Sequence, residues 1–275
     1  MRRRLSTVLA FAALVWAIPA AHAQHADRNW LERCRDEAQD DDRPRYCEER
    51  TLGAAATGGT LTVDGGENGG ARVAGWDRDS IDIVARVQTN ARSEDEAQAL
   101  AKSISITIAN GNIRADGPES RHGSSWSVTF DMLVPRASNF SINAVNGPVE
   151  IESVHGRIEL SAVNGPLAID DAGGDVHGHT TNGPLSVRLT GTSWNGKGLD
   201  AETTNGPVEI SIPRSYSAHL ETGTSNGPMT IGFPITVQGR VTRHLETDLG
   251  SGGATVRAVT TNGPLVIERA DDQRR

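Results

Sequence analysis

From Thr60 onward, apolar residues recur at every second position in short runs: TLTV (60–63), ARVAGW (71–76), SIDIVARV (80–87), SISITIA (103–109) and SWSVTFDMLVP (125–135). A period of two places alternate side chains on opposite faces, the pattern of half-buried β-strands. One segment breaks the rhythm. SEDEAQALAKSI (93–104) opens with Ser93 and carries Glu96 three residues later, a capping-box arrangement ahead of good helix formers. It predicts one short helix over 94–102, packed across a sheet edge or the end of a stack.

Beyond residue 145 the alternation becomes a repeat. Asn-Gly-Pro occurs six times, beginning at Asn146, Asn164, Asn182, Asn205, Asn226 and Asn262. The steps are 18, 18, 23, 21 and 36, the last twice eighteen. Within the first units glycines fall every nine residues (Gly147, Gly156, Gly165, Gly174, Gly183), each followed two residues later by an alternating pair such as Val149/Ile151 or Leu167/Ile169. One unit therefore holds two short strands and two turns. Neither strand buries its apolar side alone, so the units must stack as successive coils. Parallel strands then lie about 4.8 Å apart along the stack, and the two strands of a coil face each other across a core about 10 Å thick. The fold expected is all-β, a parallel two-sheet β-solenoid of about eighteen-residue coils over residues 55–275, with one short helix. At each corner Asn and Gly are expected in left-handed backbone and Pro at the start of the next strand. Equivalent Asn amides are expected to bond along the axis. The extra residues of GTSWNGKG (191–198) and PRSYSAHL (213–220) read as corner loops carrying Trp194 and Tyr216.

Composition agrees with a thin core: hydrophobic residues make up 36% and aromatic residues 4% of the chain. The first residues read as an export leader. Arg2, Arg3 and Arg4 precede an apolar run to Ala20, and Ala21-His22-Ala23 supplies a cleavage site, so residues 1–23 are expected to be removed. No cysteine stands at Gln24 to carry a lipid, and no later run is long enough to span a membrane. Residues 24–54 form a charged segment that includes Asp40–Asp42, with Gly/Ala-rich residues 51–59 as a linker. An oxidising compartment predicts a disulfide between Cys34 and Cys47. Loss of the three leader arginines takes the net charge from −8 to −11, which excludes a nucleic-acid partner and attraction to anionic lipid.

Candidate chemistry is sparse. GTSNG (223–227) matches a nucleophile elbow, but it overlies a corner where sister coils read TTNG or AVNG, and the required strand-to-helix turn is missing. The nine-residue glycine spacing lacks the aspartate of calcium-binding rolls. Stacking in chain order places Glu159 one coil before His177, with Asp200 and Glu221 one and two coils after, while Ser161 and Glu202 flank His179. His177, His179, Glu159, Asp200 and Glu202 are thus the candidates for a metal site, against the simpler reading of a solvated polar face. No catalytic residue and no cofactor is assigned.

GWDRDSIDIVARV, the helix after it, MLVP and the repeated T-x-N-G-P-[LV]-x-[IV] units resemble the DUF4097 group of bacterial envelope proteins, labelled adhesins. The likeness covers about residues 60–270, and RYCEER with its upstream Cys is similar to exported members. The resemblance implies a β-solenoid and carries over no site residues. The function expected is non-catalytic: an exported periplasmic or surface protein offering a rigid repeat face to a cell-surface glycan or envelope protein. The alternatives are a carbohydrate-active or metal-dependent glycan-binding protein using the His177/Asp200 face, and a partner of an envelope-stress sensor.

Overall fold

The computed structural model describes residues 30–37, 43–55, 58–121, 123–234 and 243–270. The expected leader and the Asp40–Asp42 run lie outside them. The alternating runs form β1 (Arg45–Ala55), β2 (Thr60–Asp64), β3 (Ala71–Trp76), β4 (Ser80–Asn90), β5 (Ser105–Ala109), β6 (Asn112–Asp116), β7 (Ser125–Pro135) and β8 (Asn139–Ala144). The repeats supply β9 (Val149–Glu152), β10 (His155–Asn164), β11 (Leu167–Asp170), β12 (Gly173–Asn182), β13 (Leu185–Arg188), β14 (Gly196–Asn205) and β15 (Val208–Ile212). Then follow β16 (Ala218–Asn226), β17 (Met229–Ile231), β18 (His244–Leu249), β19 (Thr255–Asn262) and β20 (Leu265–Arg269). Two helices accompany them, α1 (Trp30–Glu37) and α2 (Glu94–Ser103).

These strands make two ten-stranded sheets. The first runs β1-β4-β7-β3-β9-β11-β13-β15-β20-β17, the second β18-β16-β19-β14-β12-β10-β8-β2-β6-β5. Residues eighteen apart become parallel neighbours: Val149 pairs with Leu167 and Leu167 with Leu185 in the first sheet, and Ile158 with Val176 in the second. Their side chains point between the sheets and are buried. Each contributes about 1.5–3 kcal/mol on burial, so stability accumulates coil by coil.

The coils do not all stack in chain order. β19 and β20, the last repeat, lie between the β14–β15 coil and the β16–β17 coil. Asn262 therefore neighbours Asn205 on one side and Asn226 on the other. The link before β16 makes this feasible. Its three extra residues add about 10 Å of reach, more than the roughly 4.8 Å needed to skip one coil. The expected chain-order placement of Glu221 two coils after His177 is thereby corrected: Arg257 stands between Asp200 and Glu221.

The corners also differ from expectation. No Asn or Gly of an Asn-Gly-Pro corner adopts positive φ. Glycine is required there by crowding. A Cβ on Gly165 would lie 2.1 Å from the carbonyl oxygen of Gly147, and one on Gly183, Gly206, Gly263 or Gly227 would lie 2.0 Å from the corresponding oxygen of the adjacent coil. The Asn side chains link the coils. Each Nδ2 donates to the preceding Oδ1 at 2.8–2.9 Å, in the order Asn146, Asn164, Asn182, Asn205, Asn262, Asn226. Asn146 extends the row to Asn68 Oδ1 at 3.3 Å, a position in an Asn-Gly-Gly corner that the repeat count did not include. The leading Thr of T-x-N-G-P is buried and serves the same joint. Thr180, Thr203, Thr260 and Thr224 donate Oγ1–H to the corner glycine carbonyl of the neighbouring coil at 2.8–3.0 Å.

Antiparallel pairs appear toward the ends of the stack, although the edge strand β17 still pairs in parallel with β20. β1, β4 and β7 pair in the antiparallel sense, as do β5 with β6 and β16 with β18. Between Trp76 and Pro135 no Asn-Gly-Pro corner turns the chain, so eleven-residue strands run out and reverse, as antiparallel pairs allow. Residues 51–55, read as linker, complete β1 and pair with Ser80–Val84. α2 covers the inner face of this end. Ser93 Oγ accepts from Glu96 N, and the Arg50 guanidinium donates to Ala101 O and Ile104 O at 2.7 Å, satisfying carbonyls at the helix C-terminus.

On the opposite face of β1 and β4, the Cys34–Cys47 disulfide holds α1, with the Trp30 ring 5.4 Å from the Arg86 guanidinium. Arg86 is 2% exposed and its Nη2 lies 2.6 Å from Asp131 Oδ2. Burial raises the Asp131 pKa, while Arg86 and Arg72 act in the opposite sense. The inserted loops are exposed at Gly191–Ser193, Asn195–Lys197 and Arg214–Ser215, but their aromatic side chains turn inward. Trp194 is buried, donating Nε1–H to Gly174 O at 3.0 Å, and Tyr216 is buried within the 213–217 crossing.

Candidate functional site

The strand period that sends Val and Leu inward sends polar residues outward, and parallel register aligns them into columns across the second sheet. One column reads Ser141, Glu159, His177, Asp200, Arg257, Glu221 and Glu246. The adjacent column reads Asn143, Ser161, His179, Glu202 and Val259. A shallow depression of about 380 Å³ lies over the two columns from Ser141 to Glu202. All five metal candidates from the sequence line it.

They are together on one face, but each has its own partner. Glu159 pairs with Arg157 at 3.2 Å. His177 Nε2 lies 3.2 Å from Asp175 Oδ1, and Lys197 Nζ lies 2.8 Å from Asp175 Oδ2. Lys197 reaches there because it is the bulged residue where Gly174 pairs with Gly196 and Asp175 with Gly198. The Lys197 hydrogen bond is the main cause of a lowered Asp175 pKa. Asp200 is ion-paired with Arg257, which also lies 3.5 Å from Glu202. His179 Nδ1 stands 3.3 Å from Glu202 Oε1 at an angle that forms no hydrogen bond. The face is thus an array of short ion pairs. Ser225, in the elbow-like GTSNG, sits at the exposed end of β16 next to the Asn226 corner.

The side chains that do converge lie elsewhere. Among the described residues, His219, Glu221 and Glu246 bring ligand atoms within 4.8 Å of one another. His219 Nδ1 is also 2.8 Å from Asp248 Oδ1. That hydrogen bond chiefly raises the His219 pKa, with the charges of Asp248, Glu246 and Glu221 adding to it against burial. The sequence carried a trace of this group, because HLET occurs at 219–222 and again at 244–247. Their antiparallel pairing could not be read from a parallel repeat.

Coils locked at a repeated corner, two packed sheets and a polar outer face define a β-solenoid-type protein. The chain belongs to the Toastrack DUF4097 family, whose profile matches residues 48–268. Solved structures of similar architecture include a putative cell adhesion protein from Clostridium sporogenes (9% identity, 82% of this chain and 100% of that one, TM-score 0.39). A putative adhesin from Bacteroides fragilis shares 10% identity over 81% of this chain and 97% of its own, with a TM-score of 0.36. A putative lipid binding protein from Parabacteroides distasonis shares 8% over 80% and 96%, with a TM-score of 0.31. Among curated proteins none matches the chain. No helix among the described residues is long and apolar enough to cross a membrane.

Proposed function

We propose that this chain is an exported, non-catalytic scaffold of the cell envelope that presents the outer face of its second sheet to a cell-surface glycan or envelope protein. Residues 1–23 act as the removed leader, and the Cys34–Cys47 disulfide suits the oxidising compartment beyond the membrane. The observation that carries the reading is the polar array itself. Charged side chains stand at fixed intervals on coils joined by the Asn ladder and by buried Thr–Gly bonds. Such a surface is ordered before it meets a ligand, so binding loses little side-chain and loop freedom. Its alternating charges give complementarity a defined register.

The test is a binding screen of the mature chain against glycan arrays and isolated envelope proteins, followed by two sets of variants. Glu159→Ala, His177→Ala and Asp200→Ala on the second sheet should weaken capture at least about tenfold. Glu209→Ala and Arg188→Ala on the first sheet should not. Turnover of a captured glycan, or equal loss from both faces, would contradict the proposal.

A further inference from the structure

A pair of like charges marks one end of the stack. β16 and β18 run antiparallel, and their register sets Glu221 directly opposite Glu246, an arrangement that is destabilising on its own. Arg257, next to Glu221 on the other side, turns instead to Asp200 and Glu202. His219 is the group that faces both carboxylates. Its Nε2 lies 3.7 Å from Glu221 Oε1 and 3.4 Å from Glu246 Oε1. Ligand atoms about 2.0 Å from a tetrahedral metal are about 3.3 Å apart, so both imidazole edges fit such a shell with adjustments of a few tenths of an ångström.

The opposite nitrogen strengthens the case. Nδ1 lies 2.8 Å from Asp248 Oδ1. A carboxylate accepting from Nδ1–H fixes the tautomer in which the Nε2 lone pair points at the two glutamates, the arrangement that orients metal-binding imidazoles. His219 and Glu221 are about one-third exposed and Glu246 is 61% exposed. The cluster therefore has fixed members on β16 and an open side where water can complete a shell. The His177 face lacks this property, because Glu159 and Asp200 are already paired with Arg157 and Arg257.

We propose that His219, Glu221 and Glu246 bind a divalent transition-metal cation of the Zn²⁺ class, with Asp248 as the positioning residue for His219. The ion neutralises the opposed glutamates and latches β18 to β16. Because β18 is the outermost strand of the second sheet, the latch secures the strand that covers this edge of the stack. The site lies at the β18 edge of the same outer face, beyond Arg257 and away from the His177 region proposed to meet a partner, and metal binding there does not depend on that partner.

The experiment is calorimetric titration of the chelator-treated, untagged mature chain with Zn²⁺, with metal analysis after dialysis and a melting curve with and without the ion. One ion per chain is expected, with a rise in melting temperature. Glu221→Gln/Glu246→Gln, which keeps shape and removes the repulsion, should lose the ion and melt no lower than the metal-free parent. Asp248→Asn should weaken binding about 10–100-fold. His177→Ala/His179→Ala should leave stoichiometry unchanged. Absence of a bound ion, its retention in the double Gln variant, or its loss in the His177/His179 variant would each overturn the proposal.

Discussion

Replacing Gly183 by Ala isolates the reason for the glycine in Asn-Gly-Pro. The residue does not need left-handed backbone, so an account based on φ predicts a mild effect. Crowding predicts a large one. The new Cβ would stand 2.0 Å from Gly165 O and 2.6 Å from Gly165 C, whereas ordinary contact begins near 3.4 Å. The two coils would have to part at this corner by about 1.4 Å, a gap that loses attraction as well as relieving the clash. Two side-chain bonds cross the same joint: Thr180 Oγ1 to Gly165 O at 3.0 Å and Asn182 Nδ2 to Asn164 Oδ1 at 2.8 Å. Overpacking at about 1–3 kcal/mol, with two hydrogen bonds weakened at about 1 kcal/mol each, gives a loss of about 3–5 kcal/mol. Gly59 is the control, since a Cβ there meets nothing within 4 Å and φ is not positive. Gly59→Ala should be neutral or stabilise by about 0.4–1 kcal/mol through the unfolded chain. Urea denaturation followed by circular dichroism measures both. A Gly183→Ala protein within about 0.5 kcal/mol of the parent, the scatter of ordinary surface changes, would refute the crowding argument.

Thr203→Val keeps the shape of a buried side chain while removing its 2.8 Å bond to Gly183 O. It should cost about 1–3 kcal/mol in the same assay, and an unchanged midpoint would show that the carbonyl needs no such partner. Reducing Cys34–Cys47 opens a link between residues 13 apart and should remove about 3 kcal/mol in the chain-entropy treatment. The check is the melting temperature of a Cys34→Ser/Cys47→Ser variant. Burial pushes the Tyr216 hydroxyl up to about 12. The unfolded chain releases that proton nearer 10, so the contribution is intact below pH 10 and is lost as pH rises toward 12, reaching about 2.7 kcal/mol. Phenolate absorbance of Tyr46→Phe, which leaves Tyr216 as the single tyrosine, should show a midpoint near 12; a midpoint near 10 would contradict its burial.

The repeat was legible because period and spacing are local properties. Eighteen-residue steps placed Val149, Leu167 and Leu185 side by side, and Ser93 with Glu96 located α2 almost to its ends. The order of the coils was not legible. A parallel coil has the same sequence whether it stacks last or next to last, and only the length of the 213–217 crossing hints that a place was left for β19. Corner chemistry misled for a related reason. Asn-Gly is compatible with left-handed turns and with close packing, and only the distance between adjacent coils distinguishes them. The His177 face was found because its members lie on successive parallel repeats. The His219 cluster was missed because it depends on β18 pairing antiparallel at an edge.

The most direct measurement concerns the coil order. Disulfide trapping in two double-cysteine variants, read by peptide mapping, compares Asp200→Cys/Arg257→Cys with Asp200→Cys/Glu221→Cys. Asp200 and Arg257 are register partners, as are Arg257 and Glu221. The first pair therefore lies about 4.8 Å apart and the second about 9.6 Å, on either side of the roughly 7 Å limit for a disulfide. Oxidation should bridge residues 200 and 257 within one chain and leave 200 and 221 unlinked. A bridge between 200 and 221, with none between 200 and 257, would place the coils in chain order and contradict the inserted final repeat.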